Sequence, residues 1–91
     1  MKHNLDFGEA IKLLKQGKKV ARADWNGKWA RLVFMPPFRV AEPNERTQAH
    51  GVTESFDCDG YIVMWTAKGT WAPGWLASQA DMLAEDWPEV S

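Results

Sequence analysis

Residues 6–17 read DFGEAIKLLKQG and predict an amphipathic helix with a defined start and stop. Asp6 and Glu9 stand three positions apart, the spacing of a capping box at a helix N-terminus. Apolar residues then recur at helical spacing along one face, at Phe7, Ala10, Ile11 and Leu14. Gly17 supplies a left-handed stop, so a helix is predicted over about residues 7–16.

Two β-hairpins are predicted from alternating strand and turn patterns. The first has a strand over Lys19–Asp24, a tight turn at Asn26-Gly27, and a second strand over Trp29–Met35 that Pro36-Pro37 ends. The second hairpin begins with the clearest strand of the chain, Tyr61–Ala67. It turns at Lys68-Gly69 and returns over Thr70–Ala72, where Pro73-Gly74 interrupts it.

The C-terminal segment predicts a second, short helix. Ser78 precedes Asp81 by three positions, a capping-box variant that starts a helix near residues 79–84, and Glu85–Val90 then continues as an extended segment. The predicted fold class is therefore α+β: one amphipathic helix on a small, mainly antiparallel sheet, with a short helix near the C-terminus.

The 91 residues predict one domain, with a long loop at about residues 36–59. This loop holds three prolines and few apolar residues, so it is either a functional loop partly ordered by its neighbours or a mobile insertion. A chain this short has a marginal core, and six tryptophans exceed what a small core covers, which favours a homo-oligomer.

Charge and cysteine content narrow the function class. Eleven basic and twelve acidic residues give a net charge of −1, which argues against binding of long nucleic acids. Cys58 is the single cysteine, and no apolar stretch indicates a signal peptide or a membrane span. We therefore expect a cytoplasmic protein in a reducing compartment, with no membrane partner.

Two groups of residues are candidates for binding a nucleotide. Trp25 precedes the hairpin turn, where an indole face can stack on a base, and Asn26 can hydrogen-bond a base or ribose. Trp75 lies beside the start of the second helix, near Ser78 and Asp81, where free N–H groups suit a phosphate. The alternatives are structural: core packing for either tryptophan, a turn role for Asn26, and helix capping for Ser78 and Asp81.

Arg22 and Arg31 are candidates for phosphate binding, because both lie on the strands beside the Trp25 turn and guanidinium groups pair bidentately with phosphate oxygens. Asp57-Cys58-Asp59-Gly60 resembles part of a calcium loop, but the twelfth position is Lys68, so we interpret it as a turn. No motif for a metal, a cofactor or catalysis is found. His50 and Cys58 are weak candidates for a base and a nucleophile.

The two ends of the chain resemble a known family. Asp6–Ala10, Trp25-Asn26-Gly27-Lys28, Tyr61–Met64 and Trp75–Trp87 occur in the order and approximate spacing of the second type of Thoeris anti-defence proteins, which are small phage proteins. The resemblance covers about residues 5–35 and 60–90 and leaves the central loop unmatched.

The resemblance implies a sponge that captures a nucleotide signal inside an infected bacterium without cleaving it. The expected signal is a glycocyclic ADP-ribose, with a cyclic dinucleotide as a further possibility. The expected assembly is a homotetramer with pockets between protomers, where Trp25, Asn26, Trp75, Ser78 and Asp81 contact the ligand. The main rival is a protein-interaction module whose tryptophans form a partner interface, and an enzyme that degrades the signal ranks third.

Overall fold

Helix α1 spans Phe7–Lys15 in the computed structural model, which describes residues 2–23, 25 and 30–90. The predicted capping box is present, because Asp6 accepts from the Glu9 backbone N–H at 2.8 Å and Glu9 accepts from the Asp6 N–H at 3.2 Å. Gly17 has a φ of +85°, the left-handed conformation that ends the helix. The helix prediction is confirmed.

The strands form two antiparallel sheets. The strand bounds are β1 Lys19–Val20, β2 Arg31–Met35, β3 Phe38–Val40, β4 Phe56–Cys58, β5 Tyr61–Trp65, β6 Trp71–Pro73 and β7 Glu89–Val90. The larger sheet has the order β6-β5-β2-β1-β7, and the smaller pairs β3 with β4. Two short helices complete the fold, α2 Glu45–Gln48 and α3 Gln79–Leu83. The predicted α+β class and the short C-terminal helix are confirmed.

Several predicted strands differ from the observed ones. The strand predicted over Lys19–Asp24 was too long, because β1 ends at Val20 and the Ala21 N–H then donates to the Pro88 carbonyl at 3.2 Å. β5 ends at Trp65 because Thr66 and Thr70 close the turn, with the Thr66 N–H 2.9 Å from the Thr70 carbonyl oxygen. The predicted Asn26-Gly27 turn, Asp24 and Trp29 lie outside the described residues.

The predicted loop at 36–59 contains β3, α2 and β4, which the sequence did not indicate. Their register continues that of the main sheet. Met35 pairs with Tyr61, and after Pro36-Pro37 the next observed pair is Phe38 with Cys58. Proline has no backbone N–H, so the two prolines interrupt one long antiparallel ribbon instead of ending it. The turn predicted at Asp57–Gly60 is wrong for Asp57 and Cys58, which lie in β4.

The core lies between α1 and one face of the larger sheet. Trp87 is 0% exposed and is the largest fully buried side chain in the described part of the chain. An isolated bridge joins it to Leu5, so the C-terminal segment and the chain start are held together. The other buried side chains of this core are Leu5, Ala10, Leu13, Leu14, Val20 and Leu32.

The register places alternate residues of the sheet on its second face. Leu32 and its partner Met64 belong to the core beside α1, so Arg31 and its partner Trp65 lie on the opposite face. Of the helices in the described ranges, none has the length and apolar character to cross a membrane.

Candidate functional site

Three tryptophans meet at one end of the core, and we call Trp25, Trp75 and Trp87 the tryptophan cluster. The ring centroids of Trp25 and Trp87 are 5.5 Å apart, those of Trp75 and Trp87 6.2 Å, and those of Trp25 and Trp75 6.3 Å. All three pairs meet edge to face, the favourable arrangement for aromatic rings. Trp87 is buried, whereas Trp25 and Trp75 are half-buried. The structure therefore brings the two predicted stacking residues together.

Ser78 and Asp81 form the predicted capping box at the start of α3. The Ser78 Oγ accepts from the Asp81 N–H at 3.1 Å, and the Asp81 carboxylate accepts from the Ser78 N–H at 3.0 Å. The Asp81 carbonyl also accepts from the Trp87 indole N–H at 3.1 Å. The capping role is thus confirmed, and ligand contact by these two residues stays a prediction.

Arg22 connects β1 to the C-terminal segment through two carboxylates. Its Nη1 lies 3.2 Å from an Asp81 carboxylate oxygen and its Nε 3.1 Å from an Asp86 carboxylate oxygen. The side chains of Arg22 and Asp81 are only 18% and 16% exposed. The predicted phosphate ligand Arg22 therefore already has a structural role.

The surroundings of Asp81 act on its ionisation in opposite directions. Burial raises the pKa of the carboxyl, but hydrogen bonds from Ser78 and Arg22, together with the positive charge of Arg22, outweigh this effect. The pKa of Asp81 is therefore lower than its ordinary value of 3.8. The carboxylate is charged near neutral pH, where it both caps α3 and pairs with Arg22.

A cleft of about 320 Å³ lies beside the tryptophan cluster, at the ends of β1, β2 and β7. We call it the Arg31 cleft. Its lining residues are Ala21, Arg22, Ala23, Trp25, Ala30, Arg31, Pro88 and Val90. It brings together three of the predicted site residues, Trp25, Arg22 and Arg31. Trp75 and Asp81 adjoin it through Trp25 and Arg22, and Asn26 lies outside the described residues.

The two weak catalytic candidates lie in the segment between β2 and β5. His50 is exposed in the turn after α2, and Cys58 is half-buried in β4 opposite Phe38. Neither lines the Arg31 cleft. Within residues 2–23, 25 and 30–90, no group of three histidine, cysteine or acidic side chains is placed to hold a metal ion.

Two residues of this region are not among the predicted site residues. Asp86 lies within the predicted extended segment, and Trp87 ends the Trp75–Trp87 segment of the family resemblance, although it is the centre of the tryptophan cluster. Alternation offers a weak signal for Trp87, because it is an apolar residue between the acidic Asp86 and Pro88. The pairing of Asp86 with Arg22 joins residues 64 positions apart and leaves no local signal.

Comparisons with known proteins identify the family of the chain. The model of the Thoeris anti-defense 2-like domain matches residues 5–90, which include every element from α1 to β7. The chain belongs to this family. A family member from Bacillus phage SP01, Thoeris anti-defense 2, is 35% identical over 91 residues and is covered over its full length, as is this chain. The match includes the central segment, which the motif resemblance left out.

We expect the stability contribution of Asp81 to be present above the pKa that it has in the unfolded chain. It is lost as the pH falls through the lower pKa of the folded state. The difference in unfolding free energy between the parent and Asp81→Asn should therefore be constant well above pH 3.8 and shrink as the pH falls below that value, as measured by urea unfolding. Asp57→Asn is the control, because Asp57 forms an exposed pair with Arg39, which is worth at most about 1 kcal/mol. A constant difference for Asp81→Asn would contradict the expectation.

Proposed function

We propose that this protein opposes Thoeris defence by binding a cyclic nucleotide signal and withholding it from its effector. The ligand class is a glycocyclic ADP-ribose or a cyclic dinucleotide. The site of action is the cytoplasm of the infected bacterium, and no cofactor takes part. Membership of the Thoeris anti-defense 2-like family supports the biological role.

The observation that carries the proposal is the composition of the Arg31 cleft. Trp25 provides an aromatic surface, and Arg22 and Arg31 provide guanidinium groups, in the lining of the same cleft of about 320 Å³. Stacking on an aromatic side chain is worth about 1–3 kcal/mol per base, and guanidinium groups pair well with phosphate oxygens. The cleft therefore contains groups that are complementary to both the base and the phosphate of one ligand.

The size of the cleft favours a site completed by a second copy of the chain. Ligand pockets usually occupy about 300–1,000 Å³, so this cleft is at the small end for a ligand with two ribose units. We propose a homotetramer in which neighbouring protomers close the pockets. Light scattering at micromolar concentration should give a molar mass near four times the 10.3 kDa of the chain. A mass of one chain would contradict pockets between protomers.

The proposed mechanism is capture without cleavage. Binding requires complementary surfaces, whereas cleavage requires a nucleophile or a water held against the scissile bond. The lining side chains that the structure describes suit binding, because they are aliphatic, aromatic or guanidinium groups, which are poor bases and nucleophiles at neutral pH. To hold a scarce signal the protein must bind at nanomolar concentration, or about −12 kcal/mol.

Calorimetry against glycocyclic ADP-ribose isomers and cyclic dinucleotides tests this proposal. The parent should bind at a fixed stoichiometry, and heating the complex should release a ligand that is chemically unchanged and active. Trp25→Leu should bind at least about fivefold more weakly, because leucine keeps apolar cover on the cluster but removes the indole stack. Hydrolysed product, or loss of many ligand molecules per subunit, would establish turnover instead.

A second candidate function is a protein-interaction module. The surface around α3 favours it, because Leu76, Met82 and Leu83 are 89%, 46% and 79% exposed. Exposed apolar side chains in one region are typical of a protein interface. Such a module would bind none of the nucleotides in the calorimetric panel, and Trp25→Leu would not alter its partner binding.

A further inference from the structure

Trp65 and Trp71 form a second aromatic pair, away from the tryptophan cluster, and we call it the tryptophan pair. They face each other directly across β5 and β6, with ring centroids 4.6 Å apart and an interplanar angle of 70°. The turn behind them is closed by hydrogen bonds between Thr66 and Thr70, through both backbone and hydroxyl groups. The two rings are therefore fixed by strand pairing and by the turn.

The tryptophan pair remains accessible in spite of this fixed geometry. Trp65 is 38% exposed and Trp71 39% exposed, whereas Trp87 is fully buried. In an edge-to-face pair, one ring presents its edge to the other, so part of an indole face stays open to a flat ligand. Fixed, exposed aromatic surfaces of this kind suit stacking on a nucleobase, and such stacking is tolerant of base identity.

The strand register connects the tryptophan pair to the Arg31 cleft. Arg31 is the direct partner of Trp65, and Trp65 is the direct partner of Trp71, so the three residues form one row across β2, β5 and β6. Directly paired residues lie on the same face of a sheet. Neighbouring strands are about 4.8 Å apart, which puts the row from Arg31 to Trp71 at about 10 Å.

This spacing matches the chemistry of a nucleotide. A ribose separates the base from its 5′-phosphate, so a phosphate near Arg31 places the attached base over the neighbouring strands. Because a guanidinium has five donors, Arg31 can hold a phosphate while it keeps another contact. The row thus offers a positive group and an aromatic surface in the order in which a nucleotide presents phosphate and base.

We propose that the tryptophan pair is a second nucleobase-stacking platform, which binds a base of a ligand whose phosphate lies at Arg31. This inference rests on the proposed nucleotide-binding function and extends its site along the row from Arg31 to Trp71 on the second face of the sheet. The platform requires both parts of the ligand. A base without a phosphate loses the contact with Arg31, and a sugar phosphate without a base loses the stack.

NMR of the indole N–H groups tests the platform, with AMP, adenosine and ribose 5-phosphate as probes. AMP should shift the Trp65 and Trp71 signals, and ribose 5-phosphate should leave them in place. Trp71→Leu should weaken AMP binding at this site at least about fivefold, since leucine keeps an apolar side chain and removes the stack. Leu76→Ala is the matched control, because Leu76 is 89% exposed outside this row.

The NMR results distinguish failure of the platform from failure of the proposed nucleotide-binding function. If AMP shifts Trp25 and Trp75 but neither Trp65 nor Trp71, the platform is refuted and the Arg31 cleft remains a nucleotide site. If AMP and the cyclic nucleotides shift no indole signal, both proposals fail. If Trp65→Leu with Trp71→Leu lowers the molar mass and AMP leaves both parent signals unmoved, the pair is a contact between copies and the platform is refuted.

Discussion

Trp87→Ala is expected to lower the free energy of unfolding by about 3–5 kcal/mol, the usual cost of removing a buried tryptophan. Trp87 is 0% exposed and contacts Trp25, Trp75 and Phe7, whose ring centroid is 5.7 Å away. Its indole N–H also donates to the Asp81 carbonyl at the start of α3. A domain of this size has roughly 5–14 kcal/mol of unfolding free energy in total, so the substitution should remove a large part of it.

Urea unfolding followed by circular dichroism measures this effect, and Trp71→Ala is the matched control. Trp71 loses the same number of atoms from a site that is 39% exposed, so its truncation should cost much less. If the two variants had equal midpoints, Trp87 would not be the centre of the core.

Local features explain why both terminal helices could be predicted from the sequence. The capping boxes of α1 and α3 depend on residues three positions apart, and Gly17 ends α1 through its own backbone conformation. Such signals depend only on residues that are close together in the sequence. They place the elements well, but they carry no information about which tryptophan each element buries.

The ribbon formed by β2–β3 and β4–β5 shows what local signals leave out. Pro36-Pro37 predicts the end of a strand, because proline cannot donate to a sheet, and β2 does end at Met35. Strand pairing nevertheless resumes at Phe38 with the register unchanged, since Cys58 and Phe56 lie opposite Phe38 and Val40. The pairing partner lies about twenty residues away in sequence, so the patterns around the prolines could not reveal it.

The candidate site likewise combines residues that local signals predict with long-range contacts that they do not. Trp25, Trp75, Ser78 and Asp81 were predicted from turn and capping signals, and the structure brings the two tryptophans into edge contact. The pairing of Arg22 with Asp81 and Asp86 could not be predicted, because these partners stand 59 and 64 positions later in the chain. Without knowledge of such partners, an arginine near a turn suggests a phosphate ligand.

Arg22→Met is expected to lower the free energy of unfolding by about 3 kcal/mol, because it leaves two partly buried carboxylates without their guanidinium. The methionine keeps most of the aliphatic volume, so the loss reports on charge and hydrogen bonding more than on packing. Arg39→Met is the matched control. It breaks the exposed pair with Asp57, where the side chains are 61% and 79% exposed, and should cost less than about 1 kcal/mol.

A double-mutant cycle between Arg22→Met and Asp81→Asn separates the pair from its surroundings. If the two side chains interact directly, Arg22→Met should cost less in the Asp81→Asn background, by about 0.5–3 kcal/mol. The reason is that Asp81→Asn has already removed the charge that Arg22 neutralises at 3.2 Å. Asp86 still contacts Arg22 in that background, so part of the cost should remain. Additive effects would mean that the contact with Asp81 is not how Arg22 stabilises the fold, and α3 would then be held by its capping box and by the bond from Trp87.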